Sequence, residues 1–225
     1  MSYNFIDYSK IYVLGYSNGG YMAYRLACDL SYRITAFSSV AGNMFLDDEF
    51  DCIDQNRDIP IFHVHGTEDP INSYYPGGNG VDIIDDQYLT IVESIEFWSN
   101  YHQYDISEVD TILSNVSVRY TYTNDAVTSS FEHIKVIGGG HEYFYGEDFG
   151  FSSTQESIDY FLQFELSDFI INQEDTNGDG LYNTDDINIV VDYIFEQSQN
   201  STSYDFNLDQ NVDLFDVLIL SDTIF

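Results

Sequence analysis

The sequence predicts an α/β domain followed by a small all-α module. Three observations carry this. Short apolar, β-branched runs recur with helical stretches between them, a spacing that suggests a parallel sheet. Core material is plentiful, with 44% of the 225 residues hydrophobic and 17% aromatic, which argues against disorder. From Asn172 to Phe225 the composition changes to ten Asp, two Glu and no Lys or Arg, arranged as an internal repeat.

The elements follow in order. Residues 10–14 (KIYVL) read as a strand, GYSNGG as a glycine-rich turn and 21–30 as a helix. Residues 34–41 and 60–65 are two further buried strands. Pro76, Gly77, Gly78 and Gly80 mark 71–80 as loop. Ile91, Ile95 and Trp98 share one face of a helix over 85–100. Residues 116–122 and 131–137 alternate as strands, with Asn124–Asp125 in the connection, and Gly138, Gly139 and Gly140 end the last strand before His141. An amphipathic helix spans 154–166. The expected division is therefore 1–166, a linker at 167–172, and 173–225.

The formal charge is −33, from six Lys+Arg against 39 Asp+Glu, and all six basic residues precede residue 136. That balance excludes nucleic acid and an anionic membrane surface as partners, since both recruit Lys and Arg. No apolar run approaches the ~18–20 residues of a spanning helix. The N-terminus has neither a basic nor an apolar leader segment. The two cysteines, Cys28 and Cys52, read either as buried thiols or as one disulfide.

Gly15-Tyr16-Ser17-Asn18-Gly19 is a G-x-S-x-G segment between a strand and a helix, the setting of a nucleophile elbow. Asn18, the residue after the serine, would give a backbone N–H to an oxyanion. A serine needs a base. Of the five histidines, His63, His65, His102 and His133 read as satisfied core or surface residues. His141 follows a strand end and three glycines, where a loop carries a side chain over the sheet. Asp69, in His65-Gly-Thr-Glu-Asp-Pro70, also follows a strand and would orient the imidazole, with Glu68 the competing carboxylate. Ser17, Asp69, His141 is the Ser…acid…His chain order of α/β-hydrolases.

In the acidic segment, Asp175-Thr-Asn177-Gly-Asp179 aligns with Asp205-Phe-Asn207-Leu-Asp209 at an offset of 30, and the match continues through Asp186/Asp216 and Ile189/Ile219. Such alternation suits an EF-hand-like loop of hard oxygen ligands for Ca²⁺. The first loop offers Asp175, Asn177, Asp179, Leu181 (carbonyl), Asn183 and Asp186. The second offers Asp205, Asn207, Asp209, Asn211 (carbonyl), Asp213 and Asp216. Position 12 is Asp rather than Glu, and the second loop has Gln210 where the first has Gly180.

Residues about 10–165 resemble the C-terminal portion of polyhydroxybutyrate depolymerase/feruloyl esterase-like α/β-hydrolases, through IYVLGYSNGGYMAYRLACD, FSSVAGNMF, IPIFHVHGTEDPINSYYPGG, FWSN and GGGHEYF. The resemblance implies Ser17 as nucleophile, Asp69 as acid, His141 as base, no cofactor for catalysis and a Cys28–Cys52 disulfide. Relatives often carry a further cysteine pair after the position of Trp98, and Trp-Pro after the histidine. This chain has no such pair and has Glu142-Tyr143-Phe144, differences that bear on specificity. Such hydrolases have strands ahead of the elbow strand, and only nine residues precede it here. The expectation is an N-terminally truncated hydrolase that has lost those strands, the second oxyanion donor and a signal peptide, with an extracellular home.

Residues 173–225 resemble type I dockerins, which bind two Ca²⁺ and a cohesin on a scaffold protein. That resemblance makes Thr184, Asp185, Leu214 and Phe215 partner-binding residues. Together the two resemblances imply a secreted serine carboxylic ester hydrolase. Its substrate would be an ester-decorated polysaccharide (feruloyl or acetyl-xylan) or a polyhydroxybutyrate-like polyester. The alternatives are a non-catalytic, calcium-dependent attachment protein with an inert hydrolase remnant, and a peptidase on the same fold.

Overall fold

The computed structural model describes residues 10–31, 34–45, 58–78, 88–104, 109–124, 129–166, 183–196, 204–207 and 211–224. The chain divides into two compact units, Met1–Phe169 and Ile170–Phe225.

The first unit is a six-stranded mixed sheet with helices on both faces. Its elements run β1 (Tyr12–Tyr16), α1 (Asn18–Asp29), β2 (Ala36–Val40), β3 (Ile61–Gly66), α2 (Ile91–Tyr101), β4 (Val109–Ile112), β5 (Ser117–Thr123), β6 (Ser130–Val136) and α3 (Ser153–Phe161), with a two-residue hairpin, β7 (Tyr145–Gly146) and β8 (Phe151–Ser152), before α3. The strand order is β1-β2-β3-β6-β5-β4. Strands β1, β2, β3 and β6 are mutually parallel, whereas β5 pairs antiparallel with β6 and β4 antiparallel with β5. The expected parallel sheet is thus corrected to a mixed one. The connection between β5 and β6 is too short for the crossover that parallel neighbours require. The fold is that expected of an α/β-hydrolase sheet.

Period-two alternation sorts each strand onto two cores. Phe37, Ile61 and Phe131 face α1 and α2, where they pack with Ala23, Tyr24, Ala27 and Trp98. Ala36, Val40, Phe62, Val64, Ile134 and Val136 face the other way and pack with Tyr160 and Phe161 of α3. On that second face Arg119 bridges Glu132 and Glu156 and so ties β5 to α3.

Helix boundaries differ from the sequence reading for local reasons. α1 starts at Asn18 rather than 21, because the elbow turns directly into helix. α2 starts at Ile91 because Thr90 and Glu93 form a reciprocal capping box. α3 ends at Phe161, and tight bonds from Gln163 N–H to Tyr160 and from Phe164 N–H to Phe161 close its last turn. The linker at 167–172 lies outside the described residues.

In the second unit, α4 (Thr184–Glu196) and α5 (Leu214–Ile224) repeat one design. Asn183 and Asp213 each accept from the N–H two residues on, at 2.8 Å in both copies. Asp186 and Asp216 reach back to the N–H groups of Asn183 and Asp213, at 2.9 and 2.7 Å. Val190 and Leu220, thirty residues apart, are fully buried, with Phe206 beside them. The repeat seen in sequence is therefore also a repeat of caps and core positions.

Candidate active site

Three parallel strands deliver the three expected residues to one edge of the sheet. Ser17 follows β1, Asp69 follows β3 and His141 follows β6, all at carboxyl ends. Ser17 has φ 51° and ψ −117°, a left-handed conformation that a serine adopts only under constraint. Its N–H donates to Val40 at 2.8 Å. The neighbouring glycines make the turn possible: a Cβ on Gly15 would lie 1.8 Å from the Gly19 carbonyl oxygen, and one on Gly20 would lie 2.9 Å from Gly42 Cα.

The side chains meet. Ser17 Oγ lies 2.7 Å from His141 Nε2, and His141 Nδ1 lies 2.9 Å from Asp69 Oδ2. Glu68, the rival carboxylate, has no contact with His141. Asn18 is the first residue of α1, so its N–H is among those without an intrahelical acceptor. Tyr16 donates its hydroxyl to the His141 carbonyl at 3.1 Å, and its ring lies 5.6 Å from the imidazole.

Asp69 is buried. Burial alone would raise its pKa. Hydrogen bonds from His65, the Asn72 N–H and His141, with the charge of His65, outweigh that and hold the carboxyl below its ordinary value. Oδ1 accepts from the N–H groups of Ile71 and Asn72 at 2.8 and 2.9 Å. The Asn72 side chain donates to the Ala41 carbonyl at 2.6 Å and accepts from the Tyr21 hydroxyl at 2.6 Å. The acid loop is thus tied to the nucleophile's helix and to the turn after β2.

Sequence reasoning passed over His65, Asn72, Tyr16 and Tyr21. The signal for His65 was its place four residues before Asp69, at the end of the same strand. His102 and His133 are buried, as expected of core histidines: His102 Nδ1 meets Asp58 Oδ1 at 2.5 Å, and His133 meets the Tyr74 hydroxyl and the His63 carbonyl. Tyr74 and Tyr75, from the acid loop, also line a cavity of about 200 Å³ with Tyr120, Tyr122 and Lys135. Lys135 Nζ stands 5.3 Å from the Tyr74 ring centre.

Residues 1–117 match the Phospholipase/Carboxylesterase family, just over half of the chain. The chain belongs to that family. Membership covers the elbow and the acid loop, with His141 beyond the matched stretch. The chain is also similar to a bifunctional acetylxylan esterase/xylanase of Neocallimastix patriciarum, at 36% identity over 69 residues, which is 31% of this chain and 10% of that relative. The matched stretch is thus a tenth of the relative's length. The family and this likeness support a hydrolase of the esterase type.

Other expected site residues fall partly outside the described structure. Asp175, Asn177, Asp179, Leu181 and Asp209 lie outside it, as does Cys52. No described cysteine is a free thiol. Of the remaining loop positions, Asp186, Asp205, Asn207 and Asp216 are buried, and Asn183, Asn211 and Asp213 are described. Burial raises the Asp216 pKa, backbone N–H groups of Asp213, Asn207 and Phe206 lower it, and the charge of Asp205 raises it. Two buried carboxylates facing one another, with an amide side chain alongside, fit a hard cation. Among the described residues no cluster of three or more His, Cys, Asp or Glu could hold a metal. Thr184, Asp185, Leu214 and Phe215 are all exposed, the last two at 67% and 58%.

Proposed function

We propose that the first unit is a serine carboxylic ester hydrolase in which Ser17 is the nucleophile, His141 the base and Asp69 the orienting acid. The observation that carries this is the unbroken Ser17–His141–Asp69 contact on a left-handed serine turn. His141 Nε2 takes the Ser17 proton as Oγ bonds to the ester carbonyl carbon. The oxyanion draws on the Asn18 N–H at the positive end of α1. The imidazolium then gives its proton to the leaving alkoxide, and water, deprotonated by the same histidine, releases the acid.

The finer reading is a secreted enzyme acting on feruloyl or acetyl esters of polysaccharide, with a polyhydroxybutyrate-like polyester as the second candidate. The acetylxylan esterase likeness favours the first. The Cys28–Cys52 disulfide belongs to this reading, as an exported protein would keep it. We further propose that the second unit is a dockerin-type module with two Ca²⁺ sites, docking a cohesin through Thr184, Asp185, Leu214 and Phe215. Asp205, Asn207, Asp213 and Asp216 would hold one ion, and Asn183 and Asp186 would share in the other. Calcium would supply structure there and no catalytic chemistry.

The test is covalent labelling by a fluorophosphonate together with turnover of p-nitrophenyl acetate. Both should vanish in Ser17→Ala. Labelling that survives Ser17→Ala would refute the nucleophile, and a wild-type chain that neither labels nor turns over would favour an inert remnant.

A further inference from the structure

Asp69 is gripped from two sides. His65 Nε2 lies 3.1 Å from Asp69 Oδ2, the oxygen that also meets His141, and 3.1 Å from the Asn72 carbonyl. His65 Nδ1 lies 3.2 Å from His63 Nε2, and His63 Nδ1 lies 2.6 Å from the Tyr24 hydroxyl. Tyr24, His63 and His65 have no exposed surface.

Chemistry fixes the direction of each bond. A carboxylate and a carbonyl only accept, so His65 Nε2 carries the proton. Burial, with the charges of His65 and His133, depresses the His63 pKa and leaves that ring neutral with a single N–H. Burial also keeps the Tyr24 hydroxyl protonated, and His63 Nδ1 is its one acceptor among the described residues. Tyr24 therefore donates to His63 Nδ1, His63 Nε2–H donates to His65 Nδ1, and His65 Nε2–H donates to Asp69.

The geometry points to His65 as a positioning residue for Asp69, its tautomer set from behind by His63 and Tyr24. This rests on the triad reading above. Asp69 Oδ1 is occupied by two backbone N–H groups, and Oδ2 is shared by two imidazoles. With four donors on two oxygens, the carboxylate has no freedom to rotate away from His141. Removing the His65 donor has two effects of one sign. The carboxylate becomes more basic, and its full charge falls on His141. Both move the acid limb of activity to higher pH. The groups facing this pair are few: His141, Tyr16 and Glu142 on the Asp69 side, and His63, His133 and Tyr74 on the His65 side, with Lys135 acting on His133.

The experiment is ¹⁵N NMR of the histidine rings in the full chain, with steady-state kinetics on the same samples. Wild-type His65 and His63 should both be neutral Nε2–H tautomers at pH 7. In His65→Leu the His141 titration and the acid limb of kcat/KM should move to higher pH. In the same variant kcat should fall roughly tenfold to a hundredfold with KM changed less than about twofold. His65→Gln, whose amide still donates, should return the titration towards wild type, which a loss of packing alone would not do. An Nδ1–H or doubly protonated His65 in the wild type overturns the proposal even if His65→Leu does not fold. So does a His65→Leu protein with wild-type His141 titration and kcat. Ser17→Ala, run alongside, separates the two readings: retained turnover there removes the triad reading whatever the tautomers show.

Discussion

Replacing Asp69 by Asn tests the site at its most constrained point. The substitution is nearly isosteric, so the fold has little reason to change. The amide, however, has one acceptor and one donor end. The N–H groups of Ile71 and Asn72, at 2.8 and 2.9 Å, demand an acceptor at Oδ1. The NH₂ is then forced to the Oδ2 position, against His141 Nδ1 at 2.9 Å and His65 Nε2 at 3.1 Å. Donor faces donor unless both imidazoles change tautomer. In the flipped tautomer His141 Nε2 carries a proton and cannot accept from Ser17. Loss of the correct tautomer costs about 10⁴ in kcat in the serine-protease precedent. Each buried donor left without an acceptor costs about 1–3 kcal/mol of stability. Turnover of p-nitrophenyl acetate and a thermal melt followed by Trp98 fluorescence would measure both. A variant within about tenfold of wild-type kcat would refute the assignment of Asp69.

Gly66→Ala would place a Cβ 2.2 Å from the Gly139 carbonyl oxygen, forcing aside the segment that carries His141. A displacement of about 1 Å predicts roughly a hundredfold loss of kcat, and unchanged kinetics would count against this reading of the glycine contact. Burial, with neighbouring charges, depresses the pKa of His63 well below its ordinary value and that of His133 to about 3. The unfolded chain therefore binds protons that the folded chain refuses, and stability falls as pH drops below about 6.5. Each histidine adds up to about 1.4 kcal/mol per pH unit; urea titrations at pH 7 and 5, read by Trp98 fluorescence, should show the loss, and equal midpoints would contradict it. For the second unit, EDTA should lower the far-ultraviolet helix signal and calcium should restore it, whereas indifference to calcium would remove the metal from the proposal.

The motif positions were legible because they depend on local chemistry. Gly15 and Gly20 announce a turn that tolerates no side chain, and the two N-caps at Asn183 and Asp213 come from the same residue types that define the repeat. Strand direction was not legible. Residues 116–122 and 131–137 read alike as strands, and only the short connection separates an antiparallel pair from a crossover. Strand β4 lacks an apolar run and was missed, since it is fixed by pairing with β5. The core histidines were legible as buried, yet the link from His65 to Asp69 was not. Hydrogen bonds across a loop depend on how Pro70 to Asn72 fold back, which residue spacing does not state.

Asn72 gives the site a common datum. Its backbone N–H holds the acid, its carbonyl faces His65, and its side-chain amide is clamped between Tyr21 on the nucleophile's helix and Ala41 after β2. Acid and nucleophile are thereby gauged from one fixed point rather than across the width of the sheet. When the strands breathe with temperature, the two ends of the relay travel together. The working distance from Ser17 to Asp69 should be among the last dimensions of the molecule to drift on warming.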